Sequence, residues 1–454
     1  MSPESNPLLT APIRRTVILL ALPVLGEQFL NFLVGTVDVY LAGNLPDDAS
    51  LQGVSAVGAA AYIGWLASLV FSLVGTGTTA LISRAWGAGD REHANKVLNR
   101  SIALSWIIGI VFLLLMQFFA SHVARVMGVE GDSLPIAVRY LRIDAIGLMF
   151  ASVTLVASAA LRGCGDMRTP MVILGIINVL NVIMSTAMVY GWGPLEPWGV
   201  DGIVMGTTIS RILGGVLLLA YLSFERMGLV LKLSDWRLRG ETVRRILSVG
   251  TPAAGEGLLT WIGHVIFLSM IGRLGETAYN AHIIGVRVEA ISYLPAVAWG
   301  SAAATLVGQS IGANKPDRAW EAGHEAAMQC GLFGVLTTLL FVVRSDLVFA
   351  LMHNETSVRE LGVPALRLLG AFQIPLMLAI VYAHCLRGAG DTRYPVVIAI
   401  ITTYVIRIPV GYFFGFVLGM GFFGVWIGMT IDISFRWILN ATRYWSKKWL
   451  HVKV

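Results

Sequence analysis

The sequence is poor in charged residues, and this shortage decides the class of protein. Only 13% of its 454 residues are charged, while 56% are hydrophobic and the mean hydropathy is +0.73. Soluble domains carry about 25% charged residues. Three cysteines, Cys164, Cys330 and Cys385, are too few for a disulfide framework. The composition therefore indicates an integral membrane protein.

Several signals of other classes are missing as well. No HExxH motif, nucleophile elbow or pair of catalytic acids occurs, and there is no nucleotide-binding domain. The first apolar run continues through Glu27 and Asn31 without a small-residue cleavage site, so we interpret it as a retained transmembrane helix. The net charge of +6 comes from basic residues scattered over short loops, which does not favour a nucleic-acid partner. We expect neither an enzyme nor an ATP-driven pump, and no cofactor.

Long apolar stretches make up most of the chain. A helix needs about 20 apolar residues to cross the hydrocarbon core of a bilayer. Nothing alternates with period two, so these stretches are predicted to be helices rather than barrel strands. Twelve such spans are predicted, at 17–43, 54–83, 97–120, 135–161, 169–191, 200–223, 246–272, 279–311, 326–344, 361–386, 394–418 and 421–445.

The loops predict the orientation of these spans. Basic residues collect in the loops on one side of the membrane. The loops on the other side are short and nearly free of Lys and Arg, and the first of them carries Asp47 and Asp48. The positive-inside rule therefore predicts a multi-pass protein of the cell membrane with both termini in the cytoplasm. The basic residues of the predicted cytoplasmic side are Arg84, Arg91, Lys96, Arg100, Arg162, Arg168, Arg226, Lys232, Arg237, Arg239, Arg244, Arg245, Lys315, Arg318, Arg387, Arg393, Lys447 and Lys448.

The two halves of the chain repeat each other at an offset of 225 to 229 residues. LRGCGDMRTP at 161–170 returns as LRGAGDTRYP at 386–395, ALISRAWGAGDREHA at 80–94 aligns with TLVGQSIGANKPDRA at 305–319, and LPVLGE at 22–27 aligns with TPAAGE at 251–256. Six spans per half is an even number, so both copies have the same orientation and are related by an axis along the membrane normal.

This repeat predicts an all-α integral membrane protein with twelve helices in two six-helix lobes. The N-lobe is predicted at 1–223 and the C-lobe, with a short cytoplasmic tail, at 246–454. Between them, residues 224–245, with Trp236 and several arginines, resemble an interfacial amphipathic linker. The doubled LRGxGDxRxP sequence lacks the spacing of a phosphate loop. It predicts a tight turn with glycines at positive φ, an aspartate that caps a helix, and a proline early in that helix.

Asp38 is the most informative polar residue. It lies about five residues from the outer end of the first span, and the second copy of this segment has Phe267 in its place. A carboxylate inside a membrane helix costs roughly 2.5–3.5 kcal/mol on insertion scales, so it needs an aqueous cavity, a partner or a bound cation. We expect a functional site here. The alternative is an interfacial carboxylate that pairs with lipid headgroups or a lysine.

Four further polar residues are candidates for substrate binding or gating. Glu27 and Glu256 are equivalent in the repeat, and each lies four residues after a proline. Helix packing is as good an explanation for them as substrate binding. Glu256, Thr260 and His264 fall on one stripe of the seventh span at i, i+4, i+8 spacing. His264 is therefore either a titrating group or a hydrogen-bonded packing residue.

Two pairs of opposite charges lie within the predicted spans. Arg407 and Asp432 lie at equal depth in two antiparallel neighbours, with Arg436 one turn deeper, which predicts a structural ion pair. Asp144 and Arg211 are a candidate for an analogous pair in the N-lobe. Such pairs mainly satisfy burial.

The order and duplication of the motifs resemble those of the multidrug and toxic compound extrusion (MATE) family over nearly the whole chain. The resemblance implies a twelve-helix transporter that exports amphipathic, often cationic compounds in exchange for protons or sodium ions. The motifs that carry it are the pair at 87–89 and 312–314, the doubled LRGxGDxRxP turn, the segment 37–43 and the opening of the sixth span at 199–210.

The resemblance also implies a cation-coupling site. The family's aspartate of the first helix corresponds to Asp38, and Asn181 and Thr207 match the asparagine and threonine of the DinF-type branch. Ser185 stands where that branch has a second aspartate, and Thr260 stands where the NorM-type branch has a glutamate. The chain fits neither full ion set, so Asp38 is left as the main carboxylate. No metal is implied beyond a sodium ion at Asp38, and the choice between proton and sodium stays open.

Two other functions are alternatives to an antiporter. A lipid-linked oligosaccharide flippase of a related branch needs several cationic residues for a pyrophosphate, and Arg287, Arg407 and Arg436 offer such charge in the C-lobe only. A membrane enzyme lacks any supporting motif. We therefore predict a multidrug efflux antiporter, with small amphipathic substrates and membrane lipids as partners, which acts as a monomer.

Overall fold

The computed structural model describes residues 6–45, 48–193, 196–224, 228–236, 238, 240–352 and 355–452. This part of the chain is helical and contains no strand. Its α-helices, numbered in chain order, are α1 Pro7–Thr10, α2 Ile13–Gly43, α3 Asp48–Gly87, α4 Arg91–Val126, α5 Ser133–Cys164, α6 Arg168–Tyr190, α7 Val200–Ser223, α8 Glu241–Gly272, α9 Glu276–Gly312, α10 Pro316–Val343, α11 Ser345–Met352, α12 Thr356–Ala371, α13 Gln373–Gly388, α14 Arg393–Val417 and α15 Gly421–Trp445.

The predicted all-α membrane fold is confirmed. Eleven helices of the described chain are long and apolar enough to cross a bilayer, and α12 with α13 makes a twelfth span if this bent pair is counted as one. The two helices of the pair meet at an angle of 55°. Pro375, the third residue of α13, has no N–H to donate to the carbonyl of Ala371, so the break falls where the helical ladder loses a bond.

Helix α14 contains two π-helical stretches, Ile401–Arg407 and Phe413–Val417. Pro409 follows the first stretch and cannot donate to the carbonyl of Val405, which favours wider turns beside it. Wider turns rotate the side chains that precede them, and π-bulges occur frequently at functional sites. Arg407, the last residue of the first stretch, belongs to a polar cluster described below.

The helices form two compact units. One contains the described residues within 26–86 and 90–250, and the other contains those within 6–25, 87–89 and 251–452. The apolar core of the first includes Phe71, Phe112 and Tyr140. The core of the second includes Phe267, Phe341 and Trp426. These units divide the chain inside α2, whereas the predicted lobe limits, 1–223 and 246–454, stay a prediction.

The predicted linker at 224–245 is only partly helical. Residues 228–232 are not helical and are held by α4, where Asn95 and Asn99, one turn apart, exchange hydrogen bonds with the backbone of Gly228, Val230 and Lys232. A single 3-10 turn, Leu233–Asp235, follows, and α8 begins at Glu241. Four charged residues used in the orientation argument, Asp47, Arg226, Arg237 and Arg239, lie outside the described residues.

The two LRGxGDxRxP turns have similar backbone conformations at their glycines, but their aspartates make different contacts. Gly165 and Gly390 have φ of +97° and +82°, as the turn requires. Asp166 caps α6, because its Oδ1 accepts from the backbone N–H groups of Arg168 and Thr169 at 3.2 and 3.0 Å. Asp391, in the second copy, instead forms an ion pair with Arg443 at 2.7 Å. The predicted helix cap is therefore present in the first turn, and an ion pair takes its place in the second.

One premise of the orientation argument was wrong. The ends of the helices opposite to these turns, and the loops that join them, are not nearly free of arginine. Arg139 is paired with Asp201 and Arg367 with Asp346, each at 2.8 Å. The arginines at these ends are Arg125, Arg139, Arg142, Arg273, Arg344, Arg359 and Arg367.

Close packing of α6 and α7 gives a test of the fold. A Cβ atom on Gly206 would lie 2.3 Å from Oγ and 2.7 Å from Cα of Ser185. We expect Gly206→Ala to destabilise the protein by about 1–3 kcal/mol, because overpacking forces the two backbones apart. The measurement is the apparent unfolding temperature in detergent. Gly64→Ala is the matched control, since nothing lies within 4 Å of its Cβ position. Equal unfolding temperatures for the two variants would contradict this account of the packing.

Candidate ion-coupling site

Asp38, Thr207 and Asn181 form one hydrogen-bonded chain, although they come from three different helices. Asn181 Nδ2 of α6 donates to Thr207 Oγ1 of α7 at 3.1 Å, and Thr207 Oγ1 donates to Asp38 Oδ2 of α2 at 3.4 Å. Asn181 and Thr207 are 3% and 6% exposed, so these hydrogen bonds lead from the interior of the unit to the half-buried carboxylate of Asp38. The structure thus brings together the three residues for which the resemblance implied cation coupling.

Two glycines allow α7 to approach α6 closely enough for this contact. A Cβ on Gly202 would lie 2.7 Å from the backbone of Met188, and one on Gly206 would meet Ser185. Small residues of this kind let membrane helices pack with their backbones close together. Ser185 Oγ donates to the carbonyl of Ile203 on α7 at 3.5 Å. The residue that replaces a second acid therefore joins α6 to α7 rather than contacting Asp38.

The site has more acceptors than donors. Asp38 Oδ1 and Asn181 Oδ1 are both buried, and neither has a hydrogen-bond donor. Each unsatisfied buried acceptor costs about 1–3 kcal/mol, and more where the group is charged. A proton on the carboxyl group, or a small cation bound by these oxygen atoms, would remove this deficit. The arrangement is therefore suited to taking up a positive charge.

A second pair of charges lies beside this chain. Arg211 of α7, one turn after Thr207, donates from Nη1 to Asp144 Oδ1 of α5 at 2.6 Å. The buried Tyr140 lies one turn before Asp144. Arg211 attracts the Asp38 carboxylate, and Asp144 repels it more weakly. The candidate pair of the sequence analysis is present.

The second half of the chain carries a cationic cluster instead. Arg407 of α14 forms an ion pair with Asp432 of α15 at 2.5 Å, and Arg436 reaches the other oxygen of Asp432 at 3.4 Å. Arg407 Nη1 also lies 3.3 Å from His264 Nε2. Because arginine only donates, Nε2 is the acceptor, and His264 Nδ1 carries the hydrogen that it gives to the carbonyl of Thr260 at 2.8 Å. These bonds hold His264 as a neutral packing partner of Arg407.

The position equivalent to Asp38 in the second repeat is not an acid. It is occupied by Phe267, which is 1% exposed and belongs to the apolar core. The guanidinium carbon of Arg407 lies 5.6 Å from the centroid of the Phe267 ring. At equivalent positions of the repeat, the first half therefore has an acid, and the second half has an aromatic ring beside a cation.

Glu27 and Glu256 occupy equivalent ion pairs. Arg162 donates to Glu27 Oε1, and Arg387 donates to Glu256 Oε1 at 2.8 Å. Both arginines come from the LRGxGDxRxP turns, and their offset of 225 residues nearly equals the 229 residues between the glutamates. This regularity was available from the sequence, but the arginines were treated only as turn residues. Glu256 therefore has its own partner, although it shares a stripe with Thr260 and His264.

The fold and the site define a polytopic all-α membrane protein with a carboxylate-centred polar site in a duplicated helical scaffold. The family model MatE matches residues 23–186 and 252–413. The chain is 30% identical over 437 residues to the "Probable multidrug resistance protein NorM" of Thermotoga maritima, an alignment that covers 96% of this chain and 93% of the relative. It is 26% identical to the "Uncharacterized transporter YisQ" of Bacillus subtilis, with 97% of each chain covered. The chain belongs to the MATE family.

Solved structures agree with this fold. The chain superposes with a TM-score of 0.90, at 21% sequence identity, on a structure described as the outward-facing conformation of a multidrug resistance MATE family transporter. The alignment covers 99% of both chains.

The pair beside the site gives a prediction about stability. In Arg211→Gln the Asp144 carboxylate, of which the side chain is 4% exposed, loses its cation and stays buried. We expect a loss of about 1–3 kcal/mol, because a buried charge without a partner costs its desolvation energy. The measurement is the apparent unfolding temperature in detergent. The double variant Arg211→Gln/Asp144→Asn removes both charges and should recover most of the loss. A double variant that is less stable than the single one would refute the pairing argument.

Proposed function

We propose that this protein is a secondary active multidrug efflux antiporter. It exports amphipathic, often cationic compounds in exchange for protons or sodium ions by alternating access. It acts as a monomer in the cell membrane, with both termini in the cytoplasm. The printed name of the Thermotoga maritima relative, a probable multidrug resistance protein, supports the substrate class.

The proposal rests on one observation: the site around Asp38 has more buried hydrogen-bond acceptors than donors. In the half of the chain that holds it, the acids Glu27, Asp144 and Asp201 have arginine partners, whereas Asp38 accepts a hydrogen bond from the Thr207 hydroxyl and forms no ion pair with the described residues. An unneutralised carboxylate in a membrane helix is a functional-site hypothesis by default. Here the buried oxygen atoms of Asp38 and Asn181 supply the ligands that a proton or a small cation needs.

Exchange follows from competition for this one charge. A cationic substrate and the coupling ion both gain from the Asp38 carboxylate, so occupancy by one weakens binding of the other. Uptake of a proton or a sodium ion changes the bonds that join α2 to α7 and α6, and so favours one conformation over another. An ion drives such a shift only by the difference between its affinities for the two conformations.

A lipid-linked oligosaccharide flippase is the second candidate, and the geometry offers it less support. A flippase of this kind needs free cationic groups to bind the pyrophosphate of its substrate. Arg407 and Arg436 both contact Asp432, and Arg407 is only 6% exposed. These two arginines are therefore engaged in a structural cluster, and we retain the antiporter as the proposal.

The role of Asp38 is tested by Asp38→Asn. The amide has almost the same shape but neither binds a proton near neutral pH nor attracts a cation, so we expect gradient-driven export to be lost. The measurement is efflux of a fluorescent cation from vesicles that contain purified protein. Asp201→Asn is the matched control, because Asp201 lies in an exposed pair with Arg139 whose contribution is small. Full export by Asp38→Asn would refute the proposed role of this carboxylate.

The coupling ion is identified in the same vesicles. A protonophore collapses the pH gradient, and a sodium ionophore collapses the sodium gradient. We expect export to stop in one treatment and to continue in the other, because Asp38 is one carboxylate and serves one ion. Export that persists after both gradients are removed would contradict antiport.

A further inference from the structure

The first described residues form a compact segment that packs on the second half of the chain. Asn6 caps the short helix α1, since its Oδ1 accepts from the N–H of Leu8 at 3.0 Å. Its Nδ2 donates to Gln309 Oε1 of α9 at 3.1 Å. Leu9 is only 2% exposed. The segment is therefore a docked element rather than a loose end.

Basic side chains at the start of α10 bind the carbonyl groups of this segment. Arg318 Nη2 donates to the carbonyls of Leu8 and Ala11 at 2.8 and 2.6 Å, and Lys315 Nζ lies 3.5 Å from the carbonyl of Leu9. A four-residue helix leaves its last carbonyls without intrahelical partners. Cationic donors satisfy these groups and favour the negative end of a helix.

The contacts continue into the start of α2. Gln329 Nε2 of α10 donates to the carbonyl of Arg14 at 3.0 Å, while its Oε1 accepts from Trp299 Nε1 of α9 at 3.0 Å. Gln329 is thereby held in place by α9 as it binds α2. The N-terminal end of α2 and the preceding segment are thus bonded to α9 and α10 at several points.

The first repeat uses the equivalent positions differently. Gln309, Lys315 and Arg318 correspond to Arg84, Asp90 and His93 in the aligned motif. In the first copy Asp90 caps its own helix, because its Oδ1 accepts from the N–H of His93 at 2.9 Å. In the second copy lysine cannot accept, and α10 begins without a side-chain cap bond. The second repeat has exchanged a helix cap for donors that hold residues 8–11.

Helix α2 connects this docking site to Asp38. It is continuous from Ile13 to Gly43, so Asp38 lies 25 residues beyond its start, or roughly 37 Å at 1.5 Å per residue. The boundary between the compact units falls within this helix, after Leu25. Its N-terminal part belongs to the unit of residues 251–454, and its Asp38 end belongs to the other. A change at Asp38 therefore acts on a helix whose far end is held by the second half of the chain.

We propose that residues 6–11, with Gln309, Lys315 and Arg318, form an N-terminal clamp that anchors α2 to the second half of the protein. The clamp lets ion binding at Asp38 drive the conformational change, and Arg318 is its main positioning residue. This inference rests on the proposed antiport for its consequence in transport, whereas the clamp itself is tested without transport.

The first experiment tests the clamp by thiol labelling of Leu9→Cys in purified protein. The unmodified protein is the blank, because its three thiols, Cys164, Cys330 and Cys385, are buried. We expect slow labelling of Leu9→Cys and roughly tenfold faster labelling when Arg318→Gln is added, because a buried group reacts through local opening. His93→Gln, at the equivalent position of the first repeat, should leave the rate unchanged. Equal rates with and without Arg318→Gln would overturn the clamp.

The second experiment tests its role in transport. In vesicles, Arg318→Gln should lose gradient-driven export but keep the wild-type affinity for the fluorescent cation and the wild-type unfolding temperature, and Arg318→Lys should recover part of the export. Wild-type export by Arg318→Gln would overturn the role of the clamp in coupling, and so would a loss of affinity or unfolding temperature that accounts for the defect. Wild-type vesicles without gradient-driven export would refute the proposed function, while the labelling result would still decide whether the clamp exists.

Discussion

The cost of a charge inside a membrane-length helix governs the polar structure of this protein. Water is not available there to solvate an ion, so each buried charge needs a partner. The described helices meet this demand by pairing Glu27, Asp144, Glu256 and Asp432 with arginines. Asp38 is treated differently. It receives one long hydrogen bond from Thr207, and its second oxygen atom is buried without a donor. The proposed function follows from the lack of an ion pair at this carboxylate.

Duplication separates what the scaffold needs from what the site adds. The pairs Glu27–Arg162 and Glu256–Arg387 occur in both copies, as expected for contacts that hold the helices together. Two other places have diverged. Asp38 faces a polar chain in one copy where the other has Phe267 in an apolar core, and Asp90 caps a helix where the other has Lys315 bound to the N-terminal segment. Function is inferred from the places where the copies differ.

Predictions from the sequence were best where they rested on periodicity and on depth along a helix. The helices and the contact between Arg407 and Asp432 follow from apolar length and from equal distance to the outer ends. The Glu–Arg pairs were missed because Arg162 and Arg387 were interpreted as turn residues, whereas they lie in the last turns of α5 and α13 and point to a neighbouring helix. The break before Pro375 was missed as well, since the hydrophobic pattern continues through it. The count of basic residues failed because Arg125, Arg273 and Arg359, which lie in the predicted loops of the opposite side, were left out of it.

The sequence alone determined the class of the protein, its repeat and the identity of its exceptional carboxylate, because apolar length, spacing and residue type are properties of the linear chain. Only the tertiary structure decided which partners Asp38, Glu27 and Glu256 meet. Whether Asp38 meets Thr207 and Asn181, and whether Arg318 reaches the carbonyls of Leu8 and Ala11, depends on how helices pack. Hydrogen bonds form only over about 3 Å. Contacts between residues some 170 to 310 positions apart are therefore set by the fold and cannot be calculated from spacing along the chain.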